Sequence, residues 1–131
     1  FVAVLDADEV VAIVSVEPRH AVAPVAQRPG TRHPLHRGAP GAAIQAALTP
    51  QERAALGDER LRDEAFFRDF PGYATSHDEV IKGLSSVAVP LRVPAQPAAA
   101  IAVVYLDRGT DTTAVAERLR RAAAAVLREL A

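Results

Sequence analysis

The Val- and Ile-rich runs of this chain come in two pairs, one at its start and one in its second half, with helix-forming sequence between and after them. Few folds accommodate that order. Phe1 to Leu5 and Glu9 to Glu17 flank Asp6-Ala7-Asp8, whose turn chemistry joins them as a hairpin. Leu84 to Arg92 and Ala98 to Leu106 flank a turn at Pro94 to Pro97 and read as a second hairpin. Val10 to Val14 is apolar at successive positions, which puts apolar side chains on both faces of a strand, so this strand is expected near the sheet centre with both faces covered. Ala21 to Ala26 reads as a third strand with an edge or bulge at Pro24, which has no N–H to give a ladder.

Between the pairs, Pro29, Gly30 and Pro34 break up Gln27 to Arg37, which is expected to be an irregular connection. A helix follows from about Pro40 to Leu48. Its Gly41, Ala42, Ala43, Ala46 and Ala47 allow close approach to a sheet, and Pro40 suits a first helical position, where its missing N–H is not needed. Thr49-Pro50-Gln51-Glu52 has the form of a capping box and starts a second helix. Asp58 to Phe70 reads as a further helix with Leu61, Ala65 and Phe66 on one stripe, ended by Pro71-Gly72; Tyr73 to His77 then extends. From Thr113 to Leu130, Val115, Leu119, Ala122, Ala123, Val126 and Leu130 recur at helical spacing, with Asp111, Thr112 or Thr113 as the cap. The sum is an α+β fold, a largely antiparallel central sheet with helices on its faces.

Composition narrows the function. The chain has 131 residues, 50% of them hydrophobic, which suits one core and one domain, residues 1–131. A formal net charge of -1 provides no general basic field for nucleic acid. The absence of cysteine excludes disulfides, thiolate metal sites and a Cys nucleophile. No apolar run reaches about eighteen residues and no basic segment precedes an apolar one at the start, so a cytoplasmic chain without membrane contact is expected. The start at Phe1 and the lack of methionine suggest a domain cut from a longer protein.

Several residues carry chemistry by type. His20, His33 and His36 are three imidazoles, but His33 and His36 lie in a Pro-containing loop where their spacing aligns no rings, so no metal is expected. Ser76, His77 and Asp78 are the residue types of a hydrolytic triad, yet neighbours along a strand point to opposite faces and no Gly-x-Ser-x-Gly elbow exists. A hydrolase using Ser76 or Ser86 with His33 or His77 is therefore the weaker alternative, and no enzyme is expected. Gly38-Ala39-Pro40-Gly41 opens a helix whose N–H groups suit an anion, or simply lets that helix pack on the sheet. One hydroxyl of Ser85-Ser86 must face inward and needs a partner.

Taken in order, four segments resemble the C-terminal effector-binding domain of IclR-type transcriptional regulators over nearly the whole chain. They are Val4-Leu5-Asp6-Ala7-Asp8-Glu9-Val10-Val11; Gly30-Thr31-Arg32-His33-Pro34-Leu35-His36 followed by Gly41 and an alanine-rich helix; Gly72-Tyr73-Ala74 with Asp78-Glu79; and Gly83-Leu84-Ser85-Ser86-Val87-Ala88-Val89-Pro90-Leu91. The resemblance implies a GAF-like or profilin-like fold that binds a small metabolite without turning it over and needs no cofactor. It also implies homodimer or tetramer contacts, and operator DNA bound only through a separate N-terminal winged-helix domain absent from this chain.

The family pocket maps onto Gly38, Ala39 and Pro40 in the helix-entry loop, and onto Ser86. Ser76 stands where relatives often carry Asp or Asn, and Val22, Val25 and Leu84 match apolar lining. His33 stands where Leu is common, and Val103 and Tyr105 where two serines are frequent. Trading hydroxyls for a Val and a phenol on one face of a strand, and adding an imidazole, favours a larger, partly aromatic organic acid as effector. A domain that binds nothing and serves only as an oligomerisation scaffold is the alternative.

Overall fold

Both hairpins form, and they meet edge to edge. The computed structural model describes residues 1–16, 28–77, 83–106 and 109–130. Strands β1 (Val2–Asp6) and β2 (Glu9–Val14) pair antiparallel, as do β5 (Leu84–Leu91) and β6 (Ala99–Leu106). The hairpins join through β1 and β6, where Val2, Ala3 and Val4 face Ile101, Ala100 and Ala99. Short strands complete the edges: β3 (Arg32–Pro34) on β2 and β4 (Ala74–His77) on β5, giving a six-stranded sheet in the order β3-β2-β1-β6-β5-β4. Every pairing is antiparallel, and helices cover both faces, in the expected α+β arrangement.

Strand parity separates two cores. On one face, Ala3, Val10, Ala74, Ala88, Ala98, Ala100 and Ala102 pack against helix α1 (Gly38–Ala46). On the other, Val87, Val89, Leu91 and Ile101 pack against Ala116, Leu119 and Ala123 of the final helix, α4 (Thr112–Leu130). Asp111 supplies the α4 cap, its carboxylate accepting from the Ala114 N–H at 3.2 Å.

Helix α1 is buried at every position from Gly38 to Gln45, and the reason is size. Alanine methyls on the sheet face alanine methyls on the helix, so the backbones come close. Gly41 marks the tightest approach, since a Cβ there would run into the carbonyl oxygen of Leu35. The other side of α1 is covered by α2 (Pro50–Leu56), a single 3₁₀ turn (Asp58–Arg60) and α3 (Glu64–Arg68), whose Leu56, Leu61, Phe66 and Phe70 region packs on the same core. The capping box at Thr49 is formed in both directions, with Thr49 Oγ1 accepting from the Glu52 N–H at 3.1 Å and Glu52 Oε1 from the Thr49 N–H at 2.9 Å. Arg92, just past β5, donates to the same Glu52 carboxylate at 2.8 Å and ties α2 to the sheet.

Three expectations need correction. Strand β2 is one strand in from the β3 edge, not central: Val10 and Ala12 are buried, but Ile13 and Val14 are 48% and 52% exposed because α4 lies over β5 and β6. The connection before α1 is not wholly irregular, since Arg32–Pro34 pairs with β2. The helix expected over Asp58 to Phe70 is broken, because Gln45 on α1 takes the backbone groups that would continue it. Gln45 Oε1 accepts from the Arg62 N–H at 2.8 Å, while its Nε2 donates to the carbonyls of Arg60 and Leu35 at 3.3 and 3.2 Å. Asp63 then caps α3 through the Phe66 N–H at 3.0 Å. The expected strand Ala21 to Ala26 lies outside the described residues.

Two substitutions test this packing. Gly41→Ala gains about 1 kcal/mol of helix propensity but forces a methyl against backbone that cannot swing away. Overpacking of this kind typically costs about 1–3 kcal/mol, so a net loss is expected in urea unfolding. Gln45→Leu preserves volume but strands two carbonyls and one N–H, at about 1–3 kcal/mol for each group left unpaired. It should therefore lower stability by more than Thr49→Ala, a cap loss of about 1 kcal/mol.

Candidate functional site

Alternation along β4, β5 and β6 decides which side chains can meet. Ser76 pairs with Ser86 across β4 and β5, on the α1 face, and their hydroxyl oxygens are 2.6 Å apart. Ser86 is 7% exposed and Ser76 half-buried, so one hydroxyl hydrogen of the pair satisfies its neighbour and the other stays available to a further acceptor. The next residues point the other way. His77 pairs with Ser85 on the α4 face, with Nδ1 2.7 Å from Ser85 Oγ. Both hydroxyls of Ser85-Ser86 are thus buried and partnered, one on each side of the sheet.

The same parity divides the expected pocket. Leu84, Ser86 and Ser76 share the α1 face, and the buried helix entry Gly38-Ala39-Pro40 belongs to the helix on that face. Gly38 adopts φ +81°, a conformation suited to glycine. Val103 and Tyr105 do project together, but into the α4 core. The β6 residues on the Ser86 face include Ala102, which pairs with Ala88, and Val104, which pairs with Ser86 itself. Side-chain parity thus sets Val103 and Tyr105 on the other face from Ser76 and Ser86, yet one cleft of about 690 Å³ is lined by Ser76, Ser85, Ser86 and Tyr105 together, while Val103 borders a smaller one with Tyr105. A shift of one residue along β6 exchanges the faces. Val22 and Val25 lie outside the described residues.

His33 also faces the α1 side, paired with Val10, but on β3 it stands four strand spacings from Ser86, about 19 Å measured along the sheet. Its Nε2 is buried without a hydrogen-bond partner. Burial, and secondarily the charge of Arg37, holds the imidazole below its ordinary value. Of the serines the hydrolytic alternative named, Ser76 and Ser86 bond each other, and His77 instead bonds Ser85 on the opposite face. Among the described residues no three His, Asp or Glu side chains cluster to hold a metal.

The His33 environment has a pH consequence. A depressed imidazole value means that the unfolded chain binds a proton that the folded chain resists, so stability is complete above the unfolded value of 6.5 and declines as pH falls below it. Glu52, held low chiefly by the Thr49 N–H and also by Arg92, loses its contribution in a lower window, below 4.5. Melting temperature should therefore begin to fall as pH drops below about 6.5, and His33→Gln should flatten that slope while leaving the more acidic transition in place.

No family model matches the chain, and no curated protein is similar to it by sequence. Solved structures do match. IclR from Thermotoga maritima superposes with a TM-score of 0.78 at 20% identity, covering 98% of this chain and 60% of that one. An IclR homolog from Microbacterium hydrocarbonoxydans, complexed with 4-hydroxybenzoate, gives 0.74 at 25% identity, covering 98% and 59%. The inducer-binding domain of a PobR double mutant from Acinetobacter, complexed with 3-hydroxybenzoic acid, gives 0.70 at 21% identity, covering 96% and 85%. The chain spans 58% to 60% of the length of other regulators it matches. Its fold is that of the C-terminal effector-binding domain of IclR-type transcriptional regulators.

Proposed function

We propose that this chain is the effector-sensing domain of an IclR-type bacterial transcription regulator, and that it binds a small organic acid, aromatic in preference, without transforming it. The observation that carries the reading is the Ser76–Ser86 hydroxyl pair, set in the sheet face under α1. Two of the similar folds are seen with hydroxybenzoates, which supports a carboxylate ligand of that size. The proposed contacts are Gly38, Ala39, Pro40, Ser76, Leu84 and Ser86, with Ala102 and Val104 on β6 beside them and Val22 and Val25 as further candidates from the sequence. In this reading His33 tunes the outer part of the same face, while operator DNA is bound by a winged-helix domain elsewhere in the full-length regulator.

The domain also assembles as a dimer or tetramer in this proposal, and effector binding shifts the balance between arrangements. Exposed Ile13, Val14 and Val16, at 48%, 52% and 86%, support an association surface at the open end of β2. No helix among the described residues is long and apolar enough to cross a membrane.

Thermal-shift titration with 3- and 4-hydroxybenzoate and with short aliphatic carboxylates tests the proposal. A ligand at a hundred times its dissociation constant adds about 2.7 kcal/mol of stability, enough to raise the melting temperature by several degrees. The shift should be largest for an aromatic acid and should disappear in Ser86→Ala. No shift with any carboxylate would leave the scaffold reading in its place.

A further inference from the structure

Away from the sheet, one cleft is lined by charges of both signs that do not pair with each other. It measures about 540 Å³ and is formed by α2, the 3₁₀ turn and α3, the layer that covers α1 on the side away from the sheet. Arg53 and Arg62 border it, together with Asp58 and Glu64, and Leu61 and Phe67 give it an apolar wall. Its volume falls within the roughly 300–1,000 Å³ typical of small-molecule sites. It shares no lining residue with the cleft that holds Ser76 and Ser86.

Each guanidinium is held by an aromatic ring. Arg53 Cζ lies 4.2 Å from the Phe67 centroid and Arg62 Cζ 5.1 Å from that of Phe66, and the two rings meet edge to face at 5.2 Å. Phe66 packs on the core beneath, and Gln45 accepts from the Arg62 N–H at 2.8 Å, so both arginines are positioned from below. Both Nε atoms are buried without a hydrogen-bond partner. Arg53 donates otherwise only to the Leu48 carbonyl, at 3.4 Å, and the Arg62 side chain donates to no described residue. Neither arginine forms an ion pair with a described residue, and neither Asp58 nor Glu64 does so. A further carboxylate on the cleft, Asp63, is engaged by the α3 cap.

Opposite charges that share a cleft without touching suit a molecule that carries both. A simple anion drawn to the two guanidiniums would also meet three carboxylates, and a simple cation would meet the reverse. A zwitterion satisfies both sets. We propose that this cleft binds an α-amino acid with an apolar side chain. Its carboxylate pairs with Arg53 and Arg62, its ammonium with Asp58 and Glu64, and its side chain lies against Leu61 and Phe67. The site is independent of the effector reading, since it is built wholly from the layer outside α1.

Calorimetric titration of the chain with L-phenylalanine, N-acetyl-L-phenylalanine and phenethylamine tests it, because each of the last two lacks one of the charges. Phenylalanine should bind, and each analogue should bind about tenfold or more weakly, the loss of a charge-assisted contact. Arg53→Gln, Arg62→Gln and Glu64→Gln should each weaken phenylalanine by a similar factor, in variants whose melting shows them folded, and should leave the response to 4-hydroxybenzoate unchanged. Ser86→Ala should leave phenylalanine binding unchanged. Equal binding of either analogue overturns the proposal, as does no binding of phenylalanine by the unsubstituted chain. Binding that is lost in Ser86→Ala and indifferent to both arginine substitutions also overturns it, and assigns the amino acid to the effector site. A chain that binds phenylalanine as expected but responds to no other carboxylate keeps this site and overturns the effector reading alone.

Discussion

Helix α1 sits where it does because nearly every side chain between it and the sheet is methyl-sized. Ala39, Ala42 and Ala43 meet Ala74, Ala88, Ala100 and Ala102, and Gly41 meets backbone. Such a contact buries little apolar area for each residue, at roughly 25 cal/mol per Å², but it brings two backbones into van der Waals range along the whole helix. Bulk is supplied around it by Leu35, Ile44, Leu48 and Val10, all nearly inaccessible. A helix so enclosed cannot leave polar groups unpaired. Gln45, its one long polar side chain, spends its amide on three backbone groups and thereby fixes the path of the chain from Arg60 to Arg62.

Local signals were therefore legible where local chemistry decides the outcome. The Thr49 capping box, the β1–β2 turn, the β5–β6 hairpin and the amphipathic α4 all follow from residues within a few positions of one another. The break at Leu61 to Asp63 does not, because its cause is Gln45, many residues upstream. Strand β3 likewise has no signal of its own; Arg32–Pro34 becomes a strand because β2 offers an open edge, and the ion pairs of Arg32 with Asp6 and Glu9, at 2.9 and 3.6 Å, hold its start beside the first turn. Such exposed pairs add little energy, so the edge itself is what orders the segment.

The site was half legible for a similar reason. Ser76 and Ser86 could be named from their segments, and the cross-strand register brings them to 2.6 Å. The facing of β6 could not be read in the same way, since Ala100 to Val104 is apolar at every position and gives no alternation to fix parity. Only pairing with β5, which sets Val104 opposite Ser86 and Tyr105 opposite Ser85, assigns the faces. A strand buried on both sides thus conceals the information on which a pocket assignment depends.

That double burial also bears on how the sheet can respond to a bound ligand. Ser85 and Ser86 are adjacent on β5, and each is hydrogen-bonded across to β4 on its own side of the sheet. A ligand that recruits either hydroxyl acts on the same pair of strands, and β4 is a short strand with no neighbour beyond it in the sheet among the described residues. The tight α1 contact opposes a shift of β5 itself, and Arg120, over the Tyr73 ring at 5.4 Å and donating to the Pro71 carbonyl at 2.6 Å, holds the approach to β4 against α4.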